Sequence, residues 1–213
     1  MTVRPAEDLV EDVVALGSRD VGLLRPRDAA SLLDERAFER EELMPYWAQL
    51  WPSSVALALA VSPRSWKGAR ILELGCGLGL PSIAAALGGA RVLATDWSVD
   101  ALEMVTLNAA RNEATVAVAR CDWADAQPAL AGAPWRLVLA SDVLYEARNI
   151  DLLSGLLPRL VNEGGELWLA DPGRPRRTDF LSRAEEHWMI DTISHGGPPM
   201  VTVHRLRRRR LGP

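Results

Sequence analysis

This chain of 213 residues is poor in the features that mark several classes of protein. It has only two cysteines, Cys76 and Cys121. Two such thiols make neither a disulfide framework nor a metal site, and both read as small buried residues. The three histidines, His187, His195 and His204, lack the spacing of a ligand set, so no metal is expected. Lys67 is the sole lysine, and the formal net charge is −4. No basic excess argues for nucleic acid or an anionic membrane as a partner. The short run from Arg207 to Arg210 reads as a solvated end. The longest apolar helix candidate, Val55 to Val61, is far too short to span a bilayer. The N-terminus does not read as a signal peptide, so the expectation is a cytoplasmic protein. There is no internal repeat and no low-complexity segment, and a monomer is favoured.

What the chain does have is an ordinary apolar fraction of 48% and enough length for a sizeable core. Residues 1–44 read as an N-terminal arm and 45–213 as the main domain. Within the arm, two apolar patches (Val13, Val14, Leu16 and Val21, Leu23, Leu24) flank a turn-like cluster at 17–20, as in a hairpin or an extended segment. Asp28 is placed to cap a helix starting near Ala29. Charges dominate from Asp34 to Glu42, so that stretch is expected at the surface. Tyr46, Trp47 and Trp51 then crowd between Pro45 and Pro52. Such aromatics either plug one end of a core or wall a pocket, where their faces attract cations. Ser53 or Ser54 is expected to cap a helix through Val61.

From Ala69 onward, short apolar runs alternate with helical spacing. Strands are expected at 69–74, 91–95, 115–119, 135–140 and 166–170. Helices are expected at 81–87, 98–111, 149–160 and 178–187, with a short helix or loop at 124–130. Gly164-Gly165 reads as the end of the helix from Asn149. Two last strand candidates, 188–193 and 200–206, are joined by so short a link that they must be antiparallel.

Ile71 to Ser82 reads I-L-E-L-G-C-G-L-G-L-P-S: a strand, a glycine turn, then a helix with Pro81 in its first turn. Glycines there let the backbone turn sharply and approach a ligand. Without a ligand, the same stretch is a tight strand-to-helix turn. The spacing G-x-G-x-G, preceded by Glu73, departs from the dinucleotide fingerprint. It resembles motif I of the class I S-adenosylmethionine (SAM) methyltransferases. Ligands of open parallel sheets sit beyond the carboxyl ends of the strands. Those ends carry Gly75, Gly77 and Gly79; Asp96-Trp97; Asp122-Trp123; Ser141-Asp142; and Asp171. Asp96 follows Gly79 by 17 residues, close to the spacing of a carboxylate that takes ribose hydroxyls. Trp97 is placed to lie on adenine. Asp122 either accepts from the adenine amine, with Trp123 as a further wall, or caps a helix.

Taken together, Tyr46-Trp47-Ala48-x-x-Trp51-Pro52, Glu73-x-Gly75-x-Gly77-x-Gly79, Asp96, Asp122-Trp123, Asp142-x-x-Tyr145 and Asp171-Pro172-Gly173-Arg174 resemble the seven-strand protein lysine methyltransferases. The resemblance is to the branch that includes the electron-transfer-flavoprotein β-subunit enzymes and bacterial relatives labelled predicted nicotinamide N-methylases. It implies a Rossmann-like α/β fold, with a seven-stranded mostly parallel sheet, helices on both faces and a C-terminal antiparallel hairpin. It implies a cofactor site for SAM, with S-adenosylhomocysteine as product, built from Trp51, Glu73, Gly75, Gly77, Gly79, Asp96, Trp97, Asp122, Trp123 and Ser141. It implies that Asp142 and Tyr145 receive the substrate nitrogen. The expected partner is a protein lysine; a small amine metabolite, or a SAM-binding module without activity, are the other readings.

Overall fold

Alternation along each strand decides which residues face which layer of helices. In β3 (Arg70–Leu74), Ile71 packs into one buried cluster while Leu72 and Leu74 pack into another on the opposite face. In β6 (Trp135–Ser141), Leu137 and Leu139 join the first cluster, and Val138 and Ala140 the second. Strands apolar on both faces need helices on both sides, and the chain supplies them. The computed structural model describes residues 8–17, 19–29, 45–195 and 200–209.

β4 (Arg91–Asp96) and β6 pair with β3 in parallel on either side. β5 (Val116–Arg120) extends the sheet beyond β4, and β7 (Val161–Asp171) beyond β6. β9 (Val201–Arg208) then runs antiparallel to β7 and to β8 (Trp188–His195). The order is β5-β4-β3-β6-β7-β9-β8, so the direction of winding reverses between β3 and β6. A crevice beyond the carboxyl ends of those two strands is where such a sheet takes ligands. The expected seven-stranded, mostly parallel sheet and its closing hairpin are both present.

The Ile71 side is covered by α1 (Pro52–Val61) and α2 (Leu80–Leu87), which meet through small residues such as Ala58, Ala84 and Ala85. The Leu72 side is covered by α4 (Gln127–Ala131), α5 (Ala147–Leu160) and α6 (Arg177–Ala184), which contribute Ala129, Ile150, Leu153, Leu157 and Phe180. α3 (Val99–Arg111) is capped by Ser98, whose Oγ accepts from the Ala101 N–H at 3.3 Å.

β1 (Leu9–Ala15) and β2 (Asp20–Pro26) form the expected antiparallel hairpin. It docks on α3. Asn108 Oδ1 accepts from Leu24 N–H at 2.7 Å, and Asn112 Oδ1 from Gly22 N–H at 3.1 Å. Their amides donate back to the carbonyls of Leu24 and Gly22 at 3.0 and 2.8 Å. Four residues of helix rise about 6 Å and two of strand about 6.8 Å, so two asparagines one turn apart match alternate strand residues. The side chains also satisfy an otherwise open strand edge.

Two local readings are corrected. Gly164-Gly165 does not end a helix: α5 stops at Leu160 and β7 begins at Val161. The pair sits where the β6–β7 register shifts, and a Cβ on Gly165 would meet Val161 Cγ1 at 2.7 Å and the Trp135 carbonyl at 3.0 Å. No serine caps α1. Pro52, with φ preset, starts the helix with Trp51 as its N-cap, two residues before Ser53, and Ser54 Oγ donates to the Trp51 carbonyl at 2.8 Å. The helix expected after Asp28, the charged stretch at 34–42 and the β8–β9 link lie outside the described residues.

Candidate active site

The glycine loop leaves β3 with Gly75, Gly77 and Gly79 all in the left-handed region, at φ 64°, 51° and 80°. Its backbone is stitched to the neighbouring strand, because Cys76 N–H donates to the Thr95 carbonyl at 3.0 Å. Gly77 N–H donates to Asp96 Oδ2 at 3.0 Å, and Ser98 N–H to Asp96 Oδ1 at 3.0 Å. Asp96 is only 6% exposed. Burial pushes its pKa up, and the hydrogen bonds from Ser98 and Gly77 oppose that shift. Each carboxylate oxygen carries two acceptor sites, so one on each oxygen stays free. Two remaining acceptors suit the two adjacent hydroxyls of a ribose.

Asp96 lines a cleft of about 1480 Å³ at the carboxyl ends of β3 and β6. Pockets for a single drug-sized ligand run from about 300 to 1,000 Å³. This cleft therefore has room for a nucleoside-sized cofactor and an incoming side chain together. Trp97, 42% exposed, and Trp123 stand beside the loop as walls. A Cβ on Gly75 would meet Val143 Cγ1 at 3.3 Å and Trp123 Cζ2 at 3.4 Å, so a bare Cα keeps this corner open. Asp122 lies at the same end, with Oδ1 accepting from the Ala124 N–H at 2.9 Å. That turn takes up Oδ1. An open glycine corner, spare acceptors on Asp96, the exposed Trp97 and the Trp123 wall fit SAM.

Ten of the twelve sequence-expected residues line this cleft: Trp51, Gly75, Gly77, Asp96, Trp97, Asp122, Trp123, Ser141, Asp142 and Tyr145. Glu73 and Gly79 do not. Glu73 lies fully buried beneath the loop, where Oε2 accepts from Ser82 N–H at 3.0 Å and Ser82 Oγ at 2.5 Å. Gly79 faces α3: a Cβ there would fall 2.8 Å from Val105 Cγ2. Gly79 serves close packing and the entry to α2 rather than contact with a ligand.

On the other side of the cleft, Asp142 adopts φ 56°, unusual for a residue with a Cβ. Its N–H continues the β6–β7 ladder to the Ala170 carbonyl at 2.9 Å, and its Oδ1 accepts from Arg174 Nε at 2.8 Å. Tyr145 and Tyr46 are the chain's two tyrosines, and their ring centroids lie 5.7 Å apart. Trp51 stands 6.4 Å from Tyr46, and its Nε1–H donates to the Tyr46 carbonyl at 2.7 Å. Burial pushes the Tyr145 hydroxyl up to about 12, helped by the charges of Glu146 and Asp96. Tyr145 is therefore a donor, not a base, near neutral pH. Buried Asn149 fixes the segment between Asp142 and Tyr145 by donating from Nδ2 to the Val143 carbonyl at 2.9 Å.

Among the cleft residues outside that set are Arg174 and Asn149, which had no role from the sequence, and Tyr46, which the sequence offered as a core plug or a pocket wall. Arg174 stood in the Asp171-Pro172-Gly173-Arg174 motif, and Tyr46 in the aromatic cluster. Asn149 carried no signal beyond its place at the start of a helix. Among the described residues, no cluster of His, Cys, Asp or Glu can hold a metal ion, and no helix is long and apolar enough to cross a membrane.

The sheet order, with its switch point between β3 and β6, defines the Rossmann-like fold found in solved methyltransferases. The 16S rRNA N2 G1207 methyltransferase of T. thermophilus superposes with a TM-score of 0.69 at 14% identity, over 94% of this chain and 51% of that one. The ribosomal protein L11 methylase of Lactobacillus delbrueckii subsp. bulgaricus gives 0.64 at 23% identity, over 92% and 99%. Magnesium protoporphyrin IX methyltransferase of Synechocystis, solved with bound SAM, gives 0.59 at 19% identity, over 73% and 77%. At these identities the likeness is one of fold.

Residues 38–188 match the lysine methyltransferase family, and the chain belongs to it. The electron transfer flavoprotein beta subunit lysine methyltransferase of Xenopus laevis is 38% identical over 135 residues, covering 61% of this chain and 53% of that protein. EEF1A lysine methyltransferase 3 of Mus musculus is 29% identical over 174 residues, covering 78% and 74%. The chain spans about half the length of the flavoprotein enzymes of Xenopus laevis and Danio rerio.

Proposed function

We propose that this chain is a SAM-dependent N-methyltransferase that modifies a lysine side chain on a protein. The carrying observation is that the glycine loop with Asp96 and the pair Asp142 and Tyr145 line one cleft. The first group suits a nucleoside and the second an amine. Family membership supports lysine as the acceptor. SAM, when bound, supplies an electrophilic methyl group on a sulfonium. Asp96 takes the ribose hydroxyls, Trp97 and Trp123 flank the adenine, Asp122 meets its amine, and the bare Cα of Gly75 and Gly77 admit the cofactor's body.

The acceptor must arrive as a neutral amine, because a protonated nitrogen has no lone pair to attack with. A free lysine titrates near 10.4, and a carboxylate with a reference pKa near 3.9 is too weak a base to take that proton. Tyr145 holds its own proton up to about 12 and cannot take it either. Desolvation in the cleft and the neighbouring positive charge lower the lysine pKa, and the proton leaves to water. Asp142 and Tyr145 then orient the nitrogen for in-line attack. The rings of Tyr46, Trp51 and Tyr145 give the passage an aromatic wall that attracts cations.

Residues 1–44 act in this proposal as an arm on a catalytic domain of 45–213. A cytoplasmic location, in keeping with two buried free thiols, and a monomeric state complete it.

The test is incubation with methyl-labelled SAM and cell lysate, followed by gel separation and hydrolysis. A labelled protein band yielding methyl-lysine is expected. Label confined to small molecules means a metabolite acceptor, and no label means a module without activity. Asp142→Ala should lose roughly 10- to 150-fold in rate, from a charged hydrogen bond of about 1.5–3 kcal/mol. Its SAM affinity should stay nearly intact; normal turnover would remove Asp142 from the mechanism.

A further inference from the structure

The motif Asp171-Pro172-Gly173-Arg174 is not used by the mechanism so far. Its first residue ends β7, fully buried, and Asp171 Oδ1 accepts from both Gly173 and Arg174 N–H at 2.7 Å. This turn aims Arg174 back across the sheet. Arg174 Nε meets Asp142 Oδ1 at 2.8 Å, with Asp142 only 8% exposed and Arg174 35%. Among the described residues, Asp142 Oδ2 takes no hydrogen bond, and Asp142 lines the cleft. One oxygen is thus held and the other is open.

We propose that Arg174 is a positioning residue that clamps Asp142 by Oδ1 and balances its charge, so that Oδ2 orients a neutral lysine nitrogen instead of trapping an ammonium. This rests on the lysine reading above. A lone carboxylate beside the acceptor would stabilise the ammonium and oppose its deprotonation. A guanidinium on the far oxygen offsets that field and leaves the hydrogen-bond acceptor in place. Guanidinium suits the task because it stays charged across the working pH range. It also fixes the carboxylate's rotation, which matters at a residue whose backbone sits at φ 56°.

The cleft is lined by other charged residues, among them Asp96, Arg120, Asp122, Arg148 and Arg176, and every variant keeps them. Arg174 is faced by Asp142, Asp171 and Tyr46. Tyr145 is faced by Glu146, Asp96 and Arg148, and Asp171 by Arg177. A shift caused by replacing Arg174 therefore reports its own charge.

The experiment compares wild type, Arg174→Gln, Arg174→Lys, Asp142→Asn and the Asp142→Asn/Arg174→Gln double variant. Initial rates of labelling of the lysine-bearing protein are measured from pH 7 to 10, with S-adenosylhomocysteine affinity and Tm as checks on folding. Arg174→Gln should lower kcat/KM roughly 10- to 150-fold and move the rising limb of the pH profile to higher pH by about one unit, because the acceptor loses a neighbouring cation. Arg174→Lys should return the limb to its wild-type position. The double variant should lose no more than about threefold beyond Asp142→Asn alone, because Arg174 acts through Asp142. Either additive losses or an unshifted limb overturns the inference while leaving the lysine reading intact. Absence of methyl-lysine with the wild type overturns the lysine reading and this inference with it. If Arg174→Gln fails to fold, Arg174→Met, which keeps an unbranched stem without the charge, takes its place in the cycle with Asp142→Asn, with the same shifted limb and non-additive loss expected.

Discussion

Glu73→Gln tests what a fully buried carboxyl group does under the glycine loop. Oε2 of Glu73 receives two hydrogen bonds from Ser82, while Oε1 has no partner among the described residues. Burial raises its pKa from 4.5 to about 8; the Ser82 bonds pull it down and the charge of Asp96 pushes it up. Below about pH 4.5 the carboxyl is protonated in both the folded and the unfolded chain, so its stabilising contribution is fully present. Between about 4.5 and 8 the folded state keeps a proton that the unfolded state has lost. Stability therefore falls as pH rises through that window and levels off above it. Each pH unit is about 1.4 kcal/mol, so the window spans on the order of 4–5 kcal/mol. At about 2–4 °C per kcal/mol for a chain of this size, Tm should drop by about 10 °C between pH 5 and pH 8. Glutamine has the shape of the protonated carboxyl, keeps an oxygen for Ser82 and cannot ionise. Circular-dichroism melts of both proteins from pH 5 to 9 check the reasoning. The variant should match the wild type near pH 5 and exceed it at pH 8.5. Parallel curves for the two proteins would refute a proton held by the fold at Glu73.

Two further outcomes follow from the same geometry. Asp96→Ala should weaken SAM binding at least tenfold in calorimetry, since a charged hydrogen bond to the ribose is worth about 1.5–3 kcal/mol; an unchanged Kd would take Asp96 out of the cofactor site. Asn108→Ala removes the bonds to Leu24 N–H, the Leu24 carbonyl and the Leu78 carbonyl, and should cost about 2–4 kcal/mol in urea unfolding while making the β1–β2 hairpin sensitive to protease. A loss under about 1 kcal/mol would mean that the hairpin is held by its apolar face alone.

The hairpin shows how much local pattern can say. Val14, Leu16, Val21 and Leu23 are buried as their alternation requires, and the turn between the strands carries Gly17 at φ 76°. What no local pattern reveals is that Asn108 and Asn112, 84 residues or more along the chain, seal its edge. The twin glycines 164–165 mislead for the same reason: they look like a helix end, but a register shift in the sheet needs them. Glu73 and Gly79 belong to the motif by spacing, yet they face Ser82 and Val105: Glu73 lies within β3 rather than in the loop, and Gly79 turns the chain into α2 against α3.

The sequence by itself determined the class of the sheet, the glycine loop and the aspartate near the end of each following strand, while a family resemblance singled out Asp142 and Tyr145. Periodicity and motif spacing are local, so they survive without coordinates. Only the tertiary structure decided that Tyr46 meets Tyr145, that Asn149 braces the segment between Asp142 and Tyr145, and that Arg174 takes one oxygen of Asp142 and leaves the other open. Most of those contacts join residues far apart in sequence. The Asp142–Arg174 contact depends on β6 and β7 lying side by side in register, which places Asp142 beside the turn after Asp171.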